Sequence, residues 1–107
     1  MTLSARANDE RPRPRSADPV RVMIVEDSVV VRGLLTRWLE TDCNVRVVAS
    51  VADGAQAVAQ VVERKAEVII LDVDMPVMDG IEALPLLMAA SPGVRIVMSS
   101  TLTKIAR

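Results

Sequence analysis

The chain has 107 residues, half of them apolar, which suffices for one compact core and not for two. Thirteen basic and fourteen acidic residues leave a net charge of −1, no electrostatic footprint for nucleic acid or an anionic membrane. The absence of His rules out a Ser-His-Asp triad, a Cys-His pair or a His-ligated zinc site, and Trp38 alone cannot build a base-stacking surface. Cys43, the single cysteine, has no internal partner; this points to a reducing, cytoplasmic setting and to a small inert side chain. No apolar run approaches the ~20 residues of a membrane helix, and the start lacks the apolar stretch of a signal peptide.

Residues 1–19 differ from the rest. They hold Arg6, Arg11, Arg13, Arg15 and three of the six prolines, with little that can pack, and are expected to be a disordered basic tail. From Val20 two periodicities alternate. Arg21 to Val25 is a short β-branched run ending at two acids, the mark of a buried strand. Asp27-Ser28 then offers helix-start chemistry, and Val31, Leu34, Leu35, Trp38 and Leu39 recur at helical spacing, with Trp38 placed on the core face. Val45 to Ser50 is the second strand. Ala55 to Arg64 carries a second helical stripe. Glu67 to Leu71, the most continuously apolar run, is the third strand and is expected to be central. Pro85 should sit near the first position of a third helix that starts at about Leu84 and runs to Ala90. Val94 to Met98 is the fourth strand.

This order predicts an α/β fold, a doubly wound parallel sheet with right-handed crossovers. Ligands of such sheets sit outside the carboxyl ends of the strands. There the sequence places Glu26 and Asp27 after strand one, Asp72 after strand three, and Ser99, Ser100 and Thr101 after strand four. One acid after a strand is often only a helix cap, and Asp27 could be that. Three acids at neighbouring strand ends repel one another unless a cation is present, and a hard Mg2+ ion resolves the cost.

The runs Ile24-Val25-Glu26-Asp27-Ser28 and Ile69 to Gly80, with Asp72, Met75-Pro76 and Asp79-Gly80 at their spacing, resemble the receiver domain of two-component response regulators. Ile96 to Thr103, together with Gly80 to Pro85, further resembles the regulatory domain of chemotaxis protein-glutamate methylesterases. The resemblance covers Val20 to about Arg107 and implies a flavodoxin-like receiver. It implies that Asp72 accepts a phosphoryl group from a histidine kinase and that Asp27 binds Mg2+ directly. Glu26 would hold the ion through water, the backbone carbonyl of Asp74 would be a further ligand, and Ser100 would be the switch hydroxyl, with Ser99 as its rival. Met75-Pro76 and Gly80 would shape the loop under the acceptor.

The family has a fifth strand, with a phosphate-pairing lysine at its end, and a fifth helix. Neither is expected within these residues, and Lys104 stands too close to Ser100 to be that lysine. A sheet without them would leave strand one and the first helix partly bare and expose a strand-four edge through which the chain would self-associate. The expectation is therefore a receiver over 20–107 that is itself no enzyme. It would regulate a methylesterase output domain and contact neither nucleic acid nor membrane. Two alternatives remain: the receiver of another stand-alone or DNA-binding regulator, and a haloacid-dehalogenase-type phosphatase fragment, suggested by Asp72-Val73-Asp74. Neither Gly-x-Gly-x-x-Gly nor a Gly-Lys-Ser/Thr phosphate loop occurs.

Overall fold

A computed structural model describes residues 18–100. Apart from Asp18 and Pro19, the expected N-terminal tail lies outside the described residues, as do Thr101 and Lys104. The elements are β1 (Val20–Val25), α1 (Val29–Leu39), β2 (Val45–Val51), α2 (Gly54–Gln60), β3 (Val68–Asp72), α3 (Gly80–Ala90) and β4 (Arg95–Ser99). All strand pairs are parallel, in the order β2-β1-β3-β4. The continuously apolar β1 and β3 take the two inner places, as their composition demands, because an inner parallel strand is covered on both faces.

Right-handed crossovers in this order put α1 on one face and α2 with α3 on the other. Met23, Val25, Ile69 and Leu71 project towards α2 and α3 and form the core with Ala57, Val61, Ala83 and Leu87. Val22 and Ile24 face the α1 side and are also buried. β1 is thus buried from Val22 to Val25, against the expectation of a partly bare strand. The coverage thins sideways, since Val68 and Ile70 on the same face are only half-buried.

α1 departs most from its sequence reading. It contributes no buried residue, and Trp38 is 74% exposed rather than on a core face. Val31, Leu35 and Leu39, four residues apart, lie half-buried against the sheet, while Leu34 and Trp38 turn away from it. The apolar stripe is wider than the contact that the sheet makes with it. β4 is an edge of the described sheet, and Val97 and Met98 are exposed there.

Two helix boundaries also move. α3 begins at Gly80, not near Leu84, because Asp79 accepts from the Glu82 N–H at 2.9 Å while Glu82 accepts from the Asp79 N–H at 3.1 Å. This reciprocal cap fixes the first turn, and Pro85 is carried inside the helix on an exposed face. α2 is regular only to Gln60; turns follow to Lys65, whose φ of 56° ends them. Arg21 closes that end, its guanidinium donating to the carbonyls of Arg64 (2.8 Å) and Lys65 (3.0 Å).

Candidate functional site

The carboxyl ends of β1 and β3 lie side by side, with Val25 in register with Leu71. Their next residues, Glu26 and Asp72, therefore meet at one rim, and Asp27 follows one peptide later. One carboxylate oxygen from each of the three lies within 4.8 Å of the others. Glu26 is 2% exposed and Asp72 1%, while Asp27 is half-buried.

Capping does not explain these acids. The cap of α1 is Ser28, whose Oγ accepts from the Val31 N–H at 3.2 Å, so Asp27 is released from that duty. Asp53 and Asp79 are the acids that cap, at α2 and α3. The strand-end acids that do not cap are the three that converge.

The turn that carries the pair is held on every side. The Glu26 N–H donates to the Val51 carbonyl at 3.0 Å, which ties the turn to the end of β2. The Ser28 N–H donates to Glu26 Oε2 at 2.9 Å. Arg32 Nη1 donates to the Glu26 carbonyl oxygen at 2.8 Å, and the Arg32 N–H donates to the Ser28 carbonyl at 2.9 Å. Arg32 is a participant that the sequence reading missed; an arginine in the second turn of a helix has no local signature.

Across the rim, Asp72 is in register with Ser99, and the Val73 N–H donates to the Ser99 carbonyl at 3.0 Å. Ser100, exposed, stands one residue beyond that tie, at the same end of the sheet. Asp74 is exposed; its N–H reaches Asp72 Oδ1 at 3.4 Å, a long contact. Further along the loop, Val77 has φ 69°, and the Met78 N–H donates to the Pro76 carbonyl at 2.7 Å. A β-branched residue in the left-handed region within so tight a turn is strained, a cost that proteins concentrate near functional sites.

Burial pushes the Glu26 carboxyl up from 4.5 to about 7. The Asp27 and Asp72 carboxyls push the same way, while the Ser28 N–H opposes them. The folded chain therefore holds a proton between about pH 4.5 and 7 that the unfolded chain has released. Its contribution to stability is complete below 4.5 and is lost as pH rises through 7. Glu26 stands at the rim beside the half-buried Asp27, so the expected fall from pH 5 to 7.5 is about 1 kcal/mol, less than the ~1.4 kcal/mol per unit of a sealed site. Urea midpoints in the absence of divalent cations should show this fall, and Glu26→Gln should flatten it. An equally steep fall in that variant would assign the effect elsewhere.

The donor set fits Mg2+. At Mg–O lengths of about 2.0–2.1 Å, octahedral ligand oxygens stand about 3 Å apart when adjacent and about 4.2 Å apart when opposite. The Asp27 and Asp72 carboxylate oxygens, within 4.8 Å of each other, match that size and supply hard anionic charge, and Glu26 stands within the same distance. A sizeable hollow lies elsewhere. It measures about 490 Å³ and is lined by Val20, Glu67, Val68, Pro92 and Arg95 at the amino ends of the strands, far from the acids.

Comparison with known proteins agrees with the topology. Residues 22–106 match the response regulator receiver domain family. The chain is 59% identical over 86 residues to a protein-glutamate methylesterase/protein-glutamine glutaminase of Azospirillum brasilense, covering 80% of this chain and 22% of that protein. The response regulator domain of Thermotoga maritima CheB superposes with a TM-score of 0.74 at 38% identity, covering 79% of this chain and 63% of that one. A chain of the CheX-CheY-BeF3-Mg2+ complex from Borrelia burgdorferi gives 0.71 at 33%, covering 79% and 64%. The chain spans about a fifth of the length of the curated relatives it matches. These relatives favour neither the phosphatase alternative nor a regulator of another class.

Proposed function

The chain belongs to the response regulator receiver domain family, and on that premise we propose that Asp72 is its phosphoacceptor within an Mg2+ site formed with Glu26 and Asp27. The observation that carries this reading is the convergence of three carboxylates, two of them buried and none a helix cap. A carboxylate is a competent nucleophile towards phosphorus. An Asp72 Oδ–P bond forms while the donor's N–P bond breaks, and the imidazole nitrogen of a phosphohistidine keeps the electron pair.

Asp27 and Asp72 would hold the ion directly and Glu26 through water, with the Asp74 carbonyl as a further ligand. The bound ion would neutralise the charge that gathers on the phosphoryl oxygens. Phosphorylation adds about −1.5 to −2 charge and three acceptor oxygens at the rim. Ser100, one residue beyond the bond between Val73 and Ser99, would donate to one of them and draw the end of β4 inward. A histidine kinase would be the phosphodonor and a methylesterase domain the output, in keeping with the relatives.

Incubation with acetyl phosphate and Mg2+ is expected to add at most one phosphoryl group, on Asp72, seen as a single mass increment that hydroxylamine removes. Asp72→Asn should take none. A modified Asp74 or Ser100 with Asp72 untouched would overturn the assignment.

A further inference from the structure

We infer that Arg32 is the positioning residue of the acidic cluster, setting the geometry in which Glu26 and Asp27 meet a divalent cation. This inference rests on the metal reading above and goes beyond it. The Glu26 carbonyl oxygen belongs to the peptide plane that joins Glu26 to Asp27, and both acidic side chains project from the ends of that plane. Arg32 Nη1 donates to this oxygen at 2.8 Å from a half-buried position. The same residue's N–H holds the Ser28 carbonyl at 2.9 Å, on the far side of Asp27. The second bond is the first backbone bond of α1, so the helix holds the turn after Asp27 and the Arg32 side chain holds it before.

Its own anchoring is good. The Thr36 Oγ1 donates to the Arg32 carbonyl at 2.8 Å, and Arg32 lies in the second turn of α1, a helix capped by Ser28. The guanidinium therefore works from a fixed base, and its planar fork loses little freedom on making the bond. Partners that orient ligands in this way are typically worth ten- to a hundredfold in metal affinity.

Charge and position act in opposite directions here, which makes the inference testable. A cation bonded to the turn that carries Glu26 and Asp27 repels an incoming dication, so electrostatics alone predicts tighter Mg2+ binding when Arg32 is neutralised. Positioning predicts weaker binding. The experiment is calorimetric titration of the 107-residue chain with Mg2+ for the native protein and for Arg32→Met, Arg32→Lys and Arg37→Met, with circular dichroism to establish that each is folded. Arg37 is exposed in the last turn of α1, so Arg37→Met measures a charge effect alone.

Arg32→Met should raise Kd about tenfold. Arg32→Lys, which keeps the charge and one donor on a shorter stem, should return it to within about threefold of native. Arg37→Met should leave it unchanged or slightly lower. Binding by folded Arg32→Met as tight as native, or tighter, overturns the inference while leaving the metal site standing. Should Arg32→Met not fold, Arg32→Gln, which is neutral and two heavy atoms shorter, decides, and a Kd equal to or below native in that variant then overturns it. A native chain that takes no Mg2+ overturns both readings.

Discussion

Asp27→Asn and Asp72→Asn are each expected to weaken Mg2+ binding by about ten- to a hundredfold. Each replaces an anionic oxygen with a neutral one while keeping shape, so the loss reports charge at the site. Asp72→Asn also removes one of the charges that hold the Glu26 carboxyl near 7, and so frees Glu26 to ionise at lower pH. That gain opposes the loss only in part, because Glu26 is assigned to act through water. Asp74→Asn serves as the control: Asp74 is exposed and only its backbone carbonyl is assigned to the ion, so affinity should hold within about twofold. Trp38 will not report the titration, since it is 74% exposed on α1 and its emission is set by water. Calorimetry is the measurement. Undiminished affinity in both Asp27→Asn and Asp72→Asn would end the case for the site.

The parts of this fold that are legible in the sequence are those with local causes. β1 and β3 announce themselves because inner parallel strands are apolar on both faces, and that alone placed Glu26, Asp27 and Asp72 at one rim. Their convergence was marked out for attention because three like charges in one place need an explanation.

What was not legible has tertiary or competing causes. The start of α3 was misplaced because Pro85 is a strong local signal for a helix beginning. The Asp79-Gly80-Ile81-Glu82 spacing carried the stronger one, a reciprocal cap. The stripe on α1 showed an apolar face without showing how much of it the sheet would cover, and Trp38 and Leu34 fall outside that cover. Arg32 and the left-handed Val77 have no sequence mark at all, since their conformations are imposed by the turn and loop they close.

The glycines give the last expected result, with opposite signs at two positions. Gly80 opens α3 directly beneath Asp72. A Cβ there would collide with the Asp72 carbonyl oxygen and lie 3.0 Å from the Val73 Cα. Both are backbone atoms, so no side chain can rotate away, and β3 or α3 must shift. The Gly80 N–H donates to the Val73 carbonyl at 2.9 Å, and a shift would strain that bond as well. Gly80→Ala should therefore cost about 2–3 kcal/mol, the upper part of the range for overpacking, and should lower Mg2+ affinity because the displaced peptide carries Asp72. Gly33 sits mid-helix on the exposed face of α1, where a Cβ meets nothing within 4 Å. Gly33→Ala should stabilise by about 0.5–1 kcal/mol through the smaller entropy of the unfolded chain, with Mg2+ affinity unchanged. Urea unfolding measures both. A Gly80→Ala chain as stable as native would mean that β3 and α3 do not meet as closely as described, and the loop between Asp72 and Gly80 would then lose its fixed floor.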